Sequence, residues 1–134
     1  MARPIMKIKQ AFYLSEYQYW AIQYLITMNP NRNVSEIIEE AIKFSVHHLN
    51  NHDEPPRKMA VPEKGIKQYA YVTRETHRAW GLVKYNRGLH GWGMTDIARY
   101  GLRHTLSIYK ERYPDLRKIK EKYGNKETDI KELS

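Results

Sequence analysis

Cysteine is absent from the 134 residues. That excludes disulfides, thiolate metal sites and cysteine nucleophiles, and it fits a reducing compartment. No apolar run approaches the roughly 20 residues that a membrane-spanning helix needs. Met1-Ala2-Arg3-Pro4-Ile5 is basic but lacks the apolar core of a signal peptide. The expectation is a soluble, cytoplasmic protein with no membrane partner. A glycine-rich phosphate loop is missing too, since Gly88 to Gly93 matches no nucleotide motif. His77, His90 and His104, with the lone serines and aspartates, make no triad. His47, His48 and His52 lack carboxylate or thiolate partners at ligand spacing. A histidine near a helix C-terminus is favourable there without any metal. No catalytic residue, metal or cofactor is expected, and nothing supports an enzyme.

What the chain has in excess is positive charge. Lys plus Arg number 23 against 15 for Asp plus Glu, a net charge of +8. Such a balance points to nucleic acid or an anionic membrane, although a solvated basic surface would carry it equally well. The length fits one compact domain or two very small ones.

One stretch occurs twice. Ile8-Lys9-Gln10-Ala11-Phe12-Tyr13-Leu14-Ser15 returns as Ile66-Lys67-Gln68-Tyr69-Ala70-Tyr71-Val72-Thr73, at the same offset throughout. The period of two argues a strand. Ile8, Phe12 and Leu14 share the core phase with Gln10 as the exception, and Ile66, Gln68, Ala70 and Val72 repeat it. Lys7, Lys9, Ala11 and Tyr13 take the outer phase, as do Lys67, Tyr69 and Tyr71. A lone strand leaves its backbone groups unpaired, so the two copies pair with each other or with another chain.

Two helices are expected after each strand. Ser15 caps the first, in which Tyr17, Trp20, Ala21, Tyr24, Leu25 and Met28 form the apolar stripe and Glu16, Gln18, Gln23 and Thr27 the other side. Asn29-Pro30-Asn31 ends it. Asn33-Val34-Ser35-Glu36 opens the second, with Ile37, Ile38, Ala41, Ile42, Ser45 and Leu49 inward. His47 to Lys64 reads as a linker whose roughly fifteen residues can span about 50 Å. Thr73 caps a third helix with Ala79, Leu82 and Val83 inward and Trp80 at one margin. Gly93 caps a fourth, whose Met94 to Leu102 aligns with Val34 to Ile42 position by position. The small residues Ala41 and Gly101 fall at equivalent places and imply close helix contact. Asp115 to Tyr123 is a charged helical segment, and Thr128 to Leu133 forms one more turn or frays. The boundaries are therefore 6–49, a linker over 50–63, 64–113, and a C-terminal helix or tail over 114–134.

Strand, helix, short turn, helix, twice over, resembles the ribbon–helix–helix (Arc/MetJ-like) DNA-binding family. Asn33-Val34-Ser35-Glu36-Ile37-Ile38-Glu39-Glu40-Ala41-Ile42 carries the resemblance most strongly, and the Phe12-Tyr13-Leu14-Ser15-Glu16 junction also fits. Tandem two-unit members occur among plasmid-transfer proteins and archaeal viral regulators. The implied fold is mainly α with a short β-ribbon, a pseudo-dimer of two units plus the C-terminal charged helix. In that family the ribbon enters the DNA major groove, whose width admits it. The resemblance implies that Lys9, Ala11, Tyr13, Lys67, Tyr69 and Tyr71 face bases. It implies phosphate contacts at Lys7, at Asn33, Val34 and Ser35, and at Gly93, Met94 and Thr95, since helix N-termini favour phosphate. The outer strand residues depart from the family's more frequent Arg, Asn, Gln and Thr, and the second turn is longer and glycine-rich.

The implied function is a sequence-specific duplex-DNA-binding regulator, a repressor by default, in the cytoplasm (the host's, if the protein is viral), with homodimers or higher self-association on DNA. Two alternatives stand beside it. One is an antitoxin-like interaction protein whose tail, Asp115 to Ser134, binds a partner. The other is an architectural or relaxosome accessory protein that bends DNA. The blander alternative for the strands is a solvated sheet face. Asn33 and Ser35 would cap a helix in any of these cases. With the linker long enough to bring the second strand back, Ile8–Leu14 is expected to pair with Ile66–Val72 in one chain, presenting an asymmetric face.

Overall fold

The computed structural model describes residues 6–51 and 65–124. It is mostly helical with one two-stranded antiparallel sheet. The order is β1 (Lys7–Leu14), α1 (Glu16–Met28), α2 (Val34–Asn50), β2 (Ile66–Thr73), α3 (Arg74–Asn86), α4 (Met94–Arg112) and α5 (Leu116–Tyr123). β1 and β2 pair with each other inside the chain, from Lys7 opposite Thr73 to Leu14 opposite Ile66. The alternation of the sequence becomes the two faces of this ribbon. Phe12, Leu14, Ala70 and Val72 are buried, while Lys7, Lys9, Tyr13, Lys67, Tyr69 and Tyr71 are exposed.

The helix starts follow their capping residues. Ser15 accepts from the Gln18 N–H at 3.2 Å, Asn33 from that of Glu36 at 2.9 Å, and Thr73 from that of Thr76 at 3.3 Å. Gly93 has no side chain to offer, and there Asp96 reaches back to accept the Gly93 N–H at 2.8 Å. The stripe expected of α2 is the buried one: Ile37, Ile38, Ala41, Ile42, Ser45 and Leu49.

Three expectations need correction. In α1 the buried residues are Tyr17, Gln18, Ala21, Ile22 and Leu25, whereas Trp20 is 42% and Met28 52% exposed. Tyr17, Ala21 and Leu25 lie one turn apart and belong to either candidate face, so what packs on the flank decides the rotation. α4 covers the Gln18 flank, and the Gln18 amide donates to the Arg99 carbonyl at 3.0 Å, which removes the cost of burying it. In α3 the same rotation buries Thr76, Trp80 and Val83 and leaves Leu82 58% exposed, so Trp80 is core rather than margin. In α2 the helix continues through His47 and His48 to Asn50 instead of ending where a linker was expected. Leu49, fully buried, extends the apolar stripe, and the His48 ring lies 2.7 Å from the Tyr100 hydroxyl oxygen. The rest of the expected linker, 52–64, and the expected turn at 128–133 lie outside the described residues.

α2 and α4 cross at the centre of the molecule. A Cβ built on Gly101 would stand 1.9 Å from the Ala41 carbonyl oxygen and 2.5 Å from Ser45 Oγ. Only glycine allows the two backbones this close. Ser45 Oγ donates across the crossing to the Ile97 carbonyl, at 2.9 Å. α5 is not a free appendage: Leu116 is fully buried, and Tyr123 stacks on Trp20 with ring centroids 5.7 Å apart.

Gly101→Ala should therefore destabilise the protein by about 1–3 kcal/mol through overpacking. Gly81, on the exposed side of α3 with nothing within 4 Å of an added Cβ, provides the opposite case. Gly81→Ala should stabilise by about 0.5–1 kcal/mol, because alanine loses less backbone entropy in a helix. Urea unfolding of the two variants against wild type checks both signs.

Candidate nucleic-acid interface

The outward face of the ribbon collects the chemistry. Across the ladder Lys9 faces Tyr71, Ala11 faces Tyr69 and Tyr13 faces Lys67, with Lys7 opposite Thr73 at one end. All six residues expected to face bases lie in this outer phase. Ala11 is half-buried between larger neighbours, and the other five are exposed. The tyrosines are 44–50% exposed, much apolar ring surface to leave facing water on three neighbouring residues.

The cations on this face are organised around one ring. Lys9 Nζ stands 4.7 Å and Lys67 Nζ 4.9 Å from the Tyr69 ring centroid, both within cation–π range. Hydrogen bonding to the Tyr69 hydroxyl, with the nearby Tyr13 and Tyr69 phenols adding to it, raises the Lys67 pKa above its ordinary value. The same hydrogen bond, then the charges of Lys67 and Lys9, lower that of Tyr69. Two lysines and a phenol thus share one small patch of the face.

Two helix N-termini flank the ribbon and are fastened to its edges. Ser35, in the first turn of α2, accepts the backbone N–H of Tyr71 through Oγ at 2.8 Å. Thr95, in the first turn of α4, accepts that of Tyr13 through Oγ1 at 3.2 Å. The attachment is crosswise, since α2 follows β1 but holds β2, and α4 follows β2 but holds β1. Glu39 reinforces the α2 side by accepting the Thr73 N–H. Sequence reading gave Ser35 and Thr95 a possible hydroxyl contact to phosphate. Their first task is to satisfy strand N–H groups, which the hydroxyls do as acceptors while keeping O–H donors available. The signal that could have found this was the position-by-position match of Val34 to Ile42 with Met94 to Leu102, which places Ser35 and Thr95 at equivalent positions.

The expected phosphate residues thus divide into three groups. Asn33 and Gly93 are caps. The Asn33 side chain is used on Glu36, and the Gly93 N–H is already taken by Asp96. Val34, Ser35, Met94 and Thr95 open their helices, ahead of the hydrogen-bonded ladder. Lys7 is exposed at the start of β1.

Elsewhere, the His48 ring packs between those of Phe44, Tyr100 and His104 at centroid distances of 5.2–5.7 Å, an aromatic cluster joining the C-terminal half of α2 to the middle of α4. His47 is exposed, and His52 lies outside the described residues. Among the described residues no group of three or more His, Asp or Glu side chains is placed to hold a metal ion, and no helix is long and apolar enough to cross a membrane. Compared with family models, curated proteins and solved structures, the chain gives no match to any of them.

Proposed function

We propose that this chain is a tandem ribbon–helix–helix protein that binds duplex DNA sequence-specifically and regulates transcription, acting by occluding a promoter rather than by catalysis. The observation that carries the reading is the exposed Lys/Tyr face of the intramolecular ribbon, flanked by two helix N-termini fastened to its edges. A two-stranded ribbon fits the roughly 12 Å width of the major groove. Lys9 and Lys67 would donate to guanine O6 and N7, the tyrosine hydroxyls would donate or accept, and the Ala11 methyl would meet a thymine methyl. With the ribbon in the groove, the first turns of α2 and α4 would approach the sugar–phosphate backbone. There the amides of Val34, Ser35, Met94 and Thr95 and the charge of Lys7 would take phosphates. The net charge of +8 supplies the non-specific attraction.

The docking of α5 bears on the alternative in which residues 115–134 bind a partner. Leu116 is buried and Tyr123 stacks on Trp20, so that face of the helix is committed to its own fold. This favours the DNA reading of the chain as a whole.

Duplex DNA should bind with log affinity falling against log salt by roughly 0.9 per phosphate neutralised. Titration of labelled random-sequence duplex at several salt concentrations measures the slope. Affinity indifferent to salt, or no binding at low salt, sinks the proposal.

Lys67→Ala and Tyr71→Ala should each cost about 1–3 kcal/mol of discrimination between the preferred site and random DNA. Both should leave thermal unfolding nearly unchanged, because both side chains are exposed. Phe12→Ala, in the opposite phase and fully buried, should instead cost about 3–5 kcal/mol of stability. Parallel melting and competition-binding measurements separate the two faces.

A further inference from the structure

We infer that Tyr69 gives the ribbon its polarity, fixing which way round the chain lies on its DNA subsite; this rests on the major-groove reading above. Ala11 and Tyr69 occupy the same position in the two copies of the strand sequence, and they face each other in the ladder. That places the pair at the centre of the ribbon's local two-fold. On either side lie Lys9 opposite Tyr71 and Tyr13 opposite Lys67. The two-fold interchanges these pairs, because Lys9 corresponds to Lys67 and Tyr13 to Tyr71. Moving outward from the centre, each half of the face offers one lysine and one tyrosine.

Among these six residues the central pair alone breaks that equivalence, with a methyl group on one strand and a phenol on the other. A ring at both positions would put two bulky groups into one space, and Ala11 leaves the space to one. Tyr69 uses it to draw both lysines to a single ring, at 4.7 and 4.9 Å. The two ammonium groups are therefore gathered on a side chain of β2, and no tyrosine on β1 offers the mirror-image arrangement. A DNA subsite read by this face meets two equivalent flanks and an off-balance centre, so the two orientations of the chain differ in energy there. The outer phase differs at one further place, where Lys7 corresponds to Gly65. That difference lies at the last pair of the ladder, Lys7 with Thr73, away from the centre.

The test uses the full chain and its lack of cysteine. Random duplex DNA is selected with wild type and with Tyr69→Ala, whose half-exposed side chain lies outside the core; unchanged melting confirms that the variant is folded. Asn31→Cys, at an exposed position before α2, then carries a DNA-cleaving iron chelate as the only thiol adduct in either background. Wild type should enrich a subsite whose halves differ about the centre and cut it on one side, by a margin of about tenfold. Tyr69→Ala should enrich a palindromic subsite and cut both sides equally. A Tyr69→Ala protein as one-sided as wild type moves the polarity to Lys7 and overturns the assignment. A wild-type subsite that is palindromic and cut on both sides also overturns it. If wild type enriches no sequence, base reading by the ribbon fails, and this inference fails with it.

Discussion

Neither strand can satisfy its own backbone, and the architecture follows from that constraint. β1 pairs with β2, and the free edge of each strand is met by the helix belonging to the other half, through Thr95 on Tyr13 and Ser35 on Tyr71. The buried Gln18 amide of α1 is satisfied by the Arg99 carbonyl of α4. Ser45 of α2 donates to the Ile97 carbonyl of α4. Every one of these bonds crosses between halves. Separating the halves would leave the buried Gln18 and Ser45 bonds unmade, at a cost of about 1–3 kcal/mol each, so the halves are parts of one cooperative structure.

The crossing of α2 over α4 makes this interlock possible. Gly101 against the Ala41 carbonyl brings the two helix axes close enough for their first turns to reach both edges of one ribbon. The same contact that packs the core thus sets the spacing of the two helix N-termini beside the outward face. Stability and the geometry of the candidate interface depend on the same few atoms. On the outward side Lys9 and Lys67 rest on the Tyr69 ring, and the lysines and tyrosines of this face lie outside the core. The surplus of charge and exposed aromatic surface there is what the DNA-binding proposal explains.

Much of this was legible in the chain itself. The repeat at a constant offset, the period of two, and the caps at Ser15, Asn33, Thr73 and Gly93 fixed the strands and the helix starts, because they depend on neighbouring residues and local backbone chemistry. The outer strand phase was readable for the same reason: alternate residues of a strand point to opposite faces whatever surrounds them. The buried stripe of α2 was readable too, with Ile37, Ile38, Ala41, Ile42, Ser45 and Leu49 at helical spacing on one face.

The rotation of α1 and α3 was not legible, and only the tertiary structure decided it. Tyr17, Ala21 and Leu25 fit two faces, and the choice between Trp20 and Gln18 depended on a carbonyl of α4 far away in sequence. Burying a glutamine is unfavourable until its partner is known, and composition and periodicity cannot supply that partner. The convergence of Lys9 and Lys67 on Tyr69 was hidden likewise, because it needs the register of two strands separated by the first pair of helices. The sequence by itself determined where the strands lie, where the helices begin and which strand face is polar. The tertiary structure decided which helix face is buried, which hydroxyls hold the ribbon's edges, and which single pair stands at its centre, because each of these depends on the partner a group meets across the fold.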